Sequence, residues 1–147
     1  MWCCRPAGME REFLPERRFM ELALELAAEA GEAGEVPVGA VIVRDGAVIA
    51  QGRNRREERK SALAHAEIEA IAGACEALGS WRLEGCQLYV TLEPCPMCAG
   101  AVENARIERV IYAAESPGAG ALRVPVYRGF MEEEAREVLR SFFGELR

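Results

Sequence analysis

The sequence predicts an α/β layered fold with a mixed sheet. Two observations point there. Segments with helical periodicity separate most of the β-rich runs in the second half of the chain, which favours layers of helix on a sheet. An Asp45-Gly46 pair lies between two β-rich runs near the front, a strong hairpin signal that adds an antiparallel pair.

Each element follows in order. Residues 16–31 read as an amphipathic helix, because Phe19, Leu22, Ala23, Leu26, Ala27 and Ala30 recur at i, i+3, i+4, i+7 spacing. Gly31 and Gly34 end it. Residues 36–43 and 47–50 form the hairpin strands. A second helix spans about 64–78, and Gly79 closes it. Residues 87–92 read as a buried strand that runs into Glu93-Pro94-Cys95-Pro96-Met97-Cys98. A third helix covers 96–104, with Pro96 suited to the first helical position, where its missing N–H costs nothing. Residues 110–113 and 124–127 are further strands around a Gly/Pro-rich loop at 116–120, and 131–146 is a final helix.

A chain of 147 residues fits one domain with a sizeable core. The expected division is a flexible lead over residues 1–15, with Met9 as an alternative start to Met1, and a single domain over 16–147. No apolar run approaches the about 18–20 residues a membrane-crossing helix needs. The N-terminus lacks an apolar h-region, so a cytoplasmic protein is expected. In that compartment the six cysteines, at 3, 4, 75, 86, 95 and 98, are reduced: buried hydrophobes, metal ligands or nucleophiles.

The net charge of −6 argues against a sequence-blind nucleic-acid binder. Arg53, Arg55, Arg56, Arg59 and Lys60 nevertheless cluster around Glu57 and Glu58. That cluster is either a solvated loop or a phosphate-contacting edge. Residues 10–35 carry eight Glu and three Arg, a face any polyanion must avoid.

The chemistry concentrates in four residues. Cys95 and Cys98 are one helical turn apart at a strand-to-helix junction, so both thiols can point at one ion. A helix N-terminus also favours the thiolate. His65 is the only histidine in the chain, and Glu67 lies two residues on. At the first turn of a helix, His65 can bind a metal while Glu67 stands beside the water that metal holds. Three protein ligands leave a fourth position open, which marks a catalytic rather than a closed structural zinc site. The run His65-Ala66-Glu67 followed by Pro94-Cys95-Pro96-Met97-Cys98 matches the H-x-E…P-C-x-x-C signature of zinc nucleobase deaminases. A structural zinc closed by Cys86 is the non-enzymatic alternative, disfavoured by the strand length between Cys86 and Cys95.

The match extends further. Val36-Pro37-Val38-Gly39-Ala40-Val41, Gly52-Arg53-Asn54-Arg55, Trp81-Arg82-Leu83, the run from Leu88 through Ala101, and Ser141-Phe142-Phe143 together resemble bacterial tRNA-specific adenosine deaminases of the cytidine-deaminase-like superfamily. The resemblance implies a three-layer α-β-α fold around a five-stranded sheet, one zinc per subunit and a homodimer. It implies conversion of adenosine to inosine at the wobble position of a tRNA anticodon loop. It also implies that Asn54 hydrogen-bonds the purine; a plain turn residue after the hairpin is the alternative. Arg53 and Arg55 beside it, and backbone groups around Pro94, are further expected substrate contacts. In two respects the chain departs from the family. Ser116-Pro117-Gly118-Ala119-Gly120-Ala121 stands where the family often shows Asp-x-Lys-x-Gly-Ala, and the following stretch is about a dozen residues short. The rival function is deamination of a free base or nucleoside of guanine, cytosine or adenosine type.

Overall fold

The computed structural model describes residues 13–145. Most of the expected N-terminal lead, with Met1, Met9, Cys3 and Cys4, lies outside them. Phe13, also within that lead, packs edge-on to Tyr127 with the Arg109 guanidinium 4.3 Å above its ring.

The order is α1 (Arg17–Glu32), β1 (Gly39–Arg44), β2 (Ala47–Arg53), α2 (Arg56–Arg59), α3 (Ala66–Leu78), β3 (Cys86–Leu92), α4 (Pro96–Asn104), β4 (Arg109–Ala114), β5 (Val126–Tyr127) and α5 (Glu132–Glu145). The five strands form one sheet in the order β2-β1-β3-β4-β5. β1 pairs antiparallel with both β2 and β3, whereas β3, β4 and β5 run parallel. The expected mixed sheet and three layers are present.

Strand alternation builds the layers. Ala40, Ile42, Leu88, Val90, Val110 and Tyr112 point to one face and meet α3 and α4. Val41, Val43, Tyr89, Ile111 and Ala113 point to the other and meet α1 and α5. A period of two on every central strand thus buries both faces of the sheet. The hairpin turn is the expected Asp45-Gly46, with φ of 51° and 76°, the left-handed pair that a two-residue turn of matching twist requires.

Several boundaries differ from the sequence expectation: β2 runs to Arg53 rather than to 50, and three other departures have a physical reason. β1 starts at Gly39 rather than at 36: Pro37 has no N–H, and the Val36 carbonyl accepts from Asn54 Nδ2 instead. β5 is two residues rather than four, since Pro125 cannot donate to a ladder. The single turn α2 was not expected at all. Its first N–H groups are taken by Glu35, whose Oε1 and Oε2 accept from Glu57 and Glu58 at 3.2 and 2.9 Å.

Two glycines set how closely the helices lie. A Cβ on Gly39 would stand 1.9 Å from the Ala23 carbonyl oxygen of α1. One on Gly52 would stand 2.5 Å from the Ala66 carbonyl oxygen of α3. Both neighbours are backbone and cannot rotate away. Gly39→Ala is therefore expected to destabilise the protein by about 3 kcal/mol or more, at or above the usual overpacking range. Gly144→Ala, with open space around its Cβ inside α5, is expected to be neutral or slightly stabilising. Urea denaturation midpoints of the two variants check this.

Candidate metal centre and active site

Two helices aim their N-termini at one point. His65 is the residue before α3, in extended conformation (φ −79°, ψ 154°), and Glu67 is inside the first turn. Cys95 occupies the same place before α4 (φ −70°, ψ 172°), with Pro96 first in the helix and Cys98 two residues on. The unpaired N–H groups there favour the negative charge that two thiolates bring.

His65 Nδ1 lies 3.6 Å from Cys95 Sγ and 3.5 Å from Cys98 Sγ, and the three donor atoms fall within 4.8 Å of one another. Zn–N and Zn–S bonds of usual length, at a tetrahedral angle, put N and S about 3.6 Å apart. The donor set and its spacing thus fit a tetrahedral zinc. Among the described residues these three form the one such cluster. Cys86 is buried in the core beneath α3 and α4, which removes it as a fourth ligand.

The surroundings suit each role. Burial, and then the Arg56 charge, lower the His65 pKa, favouring the neutral imidazole that a metal needs. Burial, and then Glu67 and Cys95, push the Cys98 thiol up in the metal-free protein; a bound cation reverses that. Glu67 is almost wholly buried at 4% exposure, and its carboxyl lies within hydrogen-bond reach of Cys98. Burial pushes its pKa up to about 7, despite opposing hydrogen bonds from its own N–H and from Cys98. A carboxyl poised there can both accept and return a proton near neutrality.

Asn54 is 7% exposed and joins the segment before β1 to the start of α3. Its Oδ1 accepts the Ala66 N–H at 2.9 Å, and its Nδ2 donates to the Val36 carbonyl at 3.0 Å. It caps α3 from outside, a service that His65, with its side chain turned to the cysteines, does not perform. One N–H and one lone pair of the amide stay free for another partner. A recess of about 110 Å³ opens beside it, lined by Gly34, Glu35, Val36, Arg56 and Glu57.

The basic cluster is largely neutralised. Arg53 has a side-chain exposure of 9%; it bonds Glu58 at 3.0 Å and faces Glu29 at 3.5 Å. Arg55 bonds the other oxygen of Glu58 at 2.8 Å, and Arg59 meets Glu69 at 3.0 Å. Arg56 and Lys60 form no ion pair among the described residues. The Pro94 carbonyl accepts the Gly120 N–H at 2.9 Å, and Glu93 Oε1 accepts from Ser116 N at 3.0 Å. Glu93 therefore braces a loop. Sequence spacing did not reveal Glu35, whose partners sit 22 and 23 residues away.

An open-sided zinc tripod with a buried carboxyl beside it, on this three-layer frame, defines a zinc-dependent hydrolytic deaminase. The model of the cytidine and deoxycytidylate deaminase zinc-binding region matches residues 15–114, and the chain belongs to that family. It is 51% identical to the tRNA-specific adenosine deaminase of Agrobacterium fabrum, over 88% of this chain and 94% of that one. The 143 aligned positions take in about 129 residues here, so about 14 positions of that relative have no counterpart. A solved structure from studies of A-to-I editing by tRNA:A34 deaminases at the wobble position superposes with a TM-score of 0.81. It is 48% identical and covers 84% of this chain and all of its own, 100%. Guanine deaminase from Bacillus subtilis is also 48% identical, with a TM-score of 0.67, covering 69% of this chain and 66% of its own.

Proposed function

We propose that the chain deaminates adenosine to inosine at the wobble position of a tRNA anticodon. The observation that carries this is 51% identity over most of the chain to a tRNA-specific adenosine deaminase, supported by His65, Cys95 and Cys98 donor atoms within 4.8 Å of one another and a buried Glu67 beside Cys98. Zinc, which His65, Cys95 and Cys98 would hold, would supply an acidified water, its pKa brought toward about 7. Glu67 takes a proton from that water and delivers it to purine N1 as C6 is attacked. Glu67, again a carboxylate, then takes the proton of the new C6 hydroxyl and passes it to the amino group, so that the C–N bond breaks, ammonia leaves and the C6 carbonyl forms. Asn54, through its unused N–H and lone pair, orients the purine. An RNA loop is a suitable substrate because its bases splay out at low cost. Arg56, which lines the recess and forms no ion pair among the described residues, is the cation placed there for a phosphate; Arg53 and Arg55 contribute chiefly by holding this wall in place. The working form is a cytoplasmic homodimer with one zinc per subunit.

The guanine deaminase likeness favours a second reading, hydrolysis of a free purine. Incubating the zinc-loaded protein with an anticodon stem-loop, and separately with adenosine and guanine, distinguishes them. Inosine mapped at the wobble position is expected. Ammonia from guanine with an untouched stem-loop would overturn the tRNA reading.

A further inference from the structure

The loop after β4 touches the metal-ligand turn at three points. The Gly120 N–H donates to the Pro94 carbonyl at 2.9 Å. The Ser116 N–H donates to the Glu93 carboxylate at 3.0 Å. A Cβ on Gly120 would stand 2.5 Å from Pro96 Cα, 2.8 Å from Pro96 N and 3.0 Å from Ala99 Cβ, so the loop lies directly on the backbone that follows Cys95. Gly118, two residues earlier, has nothing within 4 Å of that position.

We infer that residues 116–120 are a strap that fixes the turn carrying Cys95 and Cys98, with Gly120 and Glu93 as positioning residues for the zinc site. The Glu93 N–H still donates to the Ala114 carbonyl of β4 at 2.8 Å; beyond it the turn leaves the sheet and enters α4. Its Pro94 carbonyl and Glu93 side chain find their partners in the strap. A side chain at 120 must push Pro96 away, and Cys95 is its covalent neighbour. The thiolate would then leave the 3.6 Å spacing from His65 that tetrahedral zinc requires. Outer partners of metal ligands commonly account for about 10–100-fold in metal affinity.

This inference rests on the metal centre and not on the tRNA substrate. The test is zinc affinity, measured by competition against a chromophoric chelator, together with the melting temperature of the zinc-stripped protein. Gly120→Ala is expected to bind zinc about 10–100-fold more weakly, and Gly118→Ala as tightly as the unmodified chain. Glu93→Ala is expected to weaken zinc, and Glu93→Gln, which keeps an oxygen for the Ser116 N–H, to restore it. The Glu93 pair decides the matter should Gly120→Ala not fold. Unchanged zinc affinity in Gly120→Ala overturns the strap, even where its stripped form melts lower. So does equal affinity in the two Glu93 variants. An unmodified chain that takes up no zinc defeats the metal centre itself.

Discussion

Replacing Glu67 with Gln is expected to lower kcat about 10²–10⁴-fold, the usual worth of a positioned proton carrier, while zinc content stays unchanged. The amide keeps the shape of the buried side chain and its reach to the Cys98 sulfur, but it cannot hold and return a proton. Rate and metal content, measured on the same sample, separate this from loss of the site. Equal activity in Glu67→Gln would overturn the assignment. The same variant has a second signature in the zinc-stripped protein. The folded state holds the Glu67 carboxyl up at about 7, and the unfolded chain returns it to the ordinary carboxylate value. Its contribution to stability is therefore full at low pH and falls away as pH rises through about 7. Denaturation midpoints should show that fall in the stripped parent and a smaller one in Glu67→Gln.

Cys98→Ala is expected to have the opposite pattern: zinc content close to zero and no turnover above background. Cys98 is fully buried between Glu67, Cys95 and the core, and only its Sγ can replace its contribution to the tripod. Two remaining ligands hold zinc poorly. Binding to the folded state alone stabilises it, by about 4 kcal/mol at a thousandfold excess over Kd. Added zinc should therefore raise the melting temperature of the parent and leave that of Cys98→Ala where it was. A variant that keeps both its zinc and its zinc-dependent melting shift would show that the ion is held elsewhere.

Much of this site was legible in residue order alone. Cys95 and Cys98 declare themselves because a strand, a proline and a one-turn spacing all occur within a few residues. His65 and Glu67 do so because the chain holds no other histidine. The long helices and central strands were legible for the same reason: their buried faces repeat locally. What stayed hidden depends on partners far along the chain. Glu35 looks like any acid at the end of an acidic helix, yet it organises α2 more than twenty residues later. Arg53 looks like a free cation, and folding places it between Glu29 and Glu58. Asn54 is expected from the resemblance to contact the purine, with a turn residue as the alternative, and neither reading shows that its amide joins the segment before β1 to the start of α3. Spacing reports which residues share an element; it is silent on which elements will meet.

The two glycines of the hairpin have a consequence for engineering. Gly39 and Gly52 sit on neighbouring, paired strands, and each lets a different helix rest on bare main chain from opposite sides. In both joints the nearest atom to an added Cβ is a backbone carbonyl oxygen, which cannot rotate away. A side chain added at Gly52 would have to displace α3, the helix whose first turn follows His65 and carries Glu67.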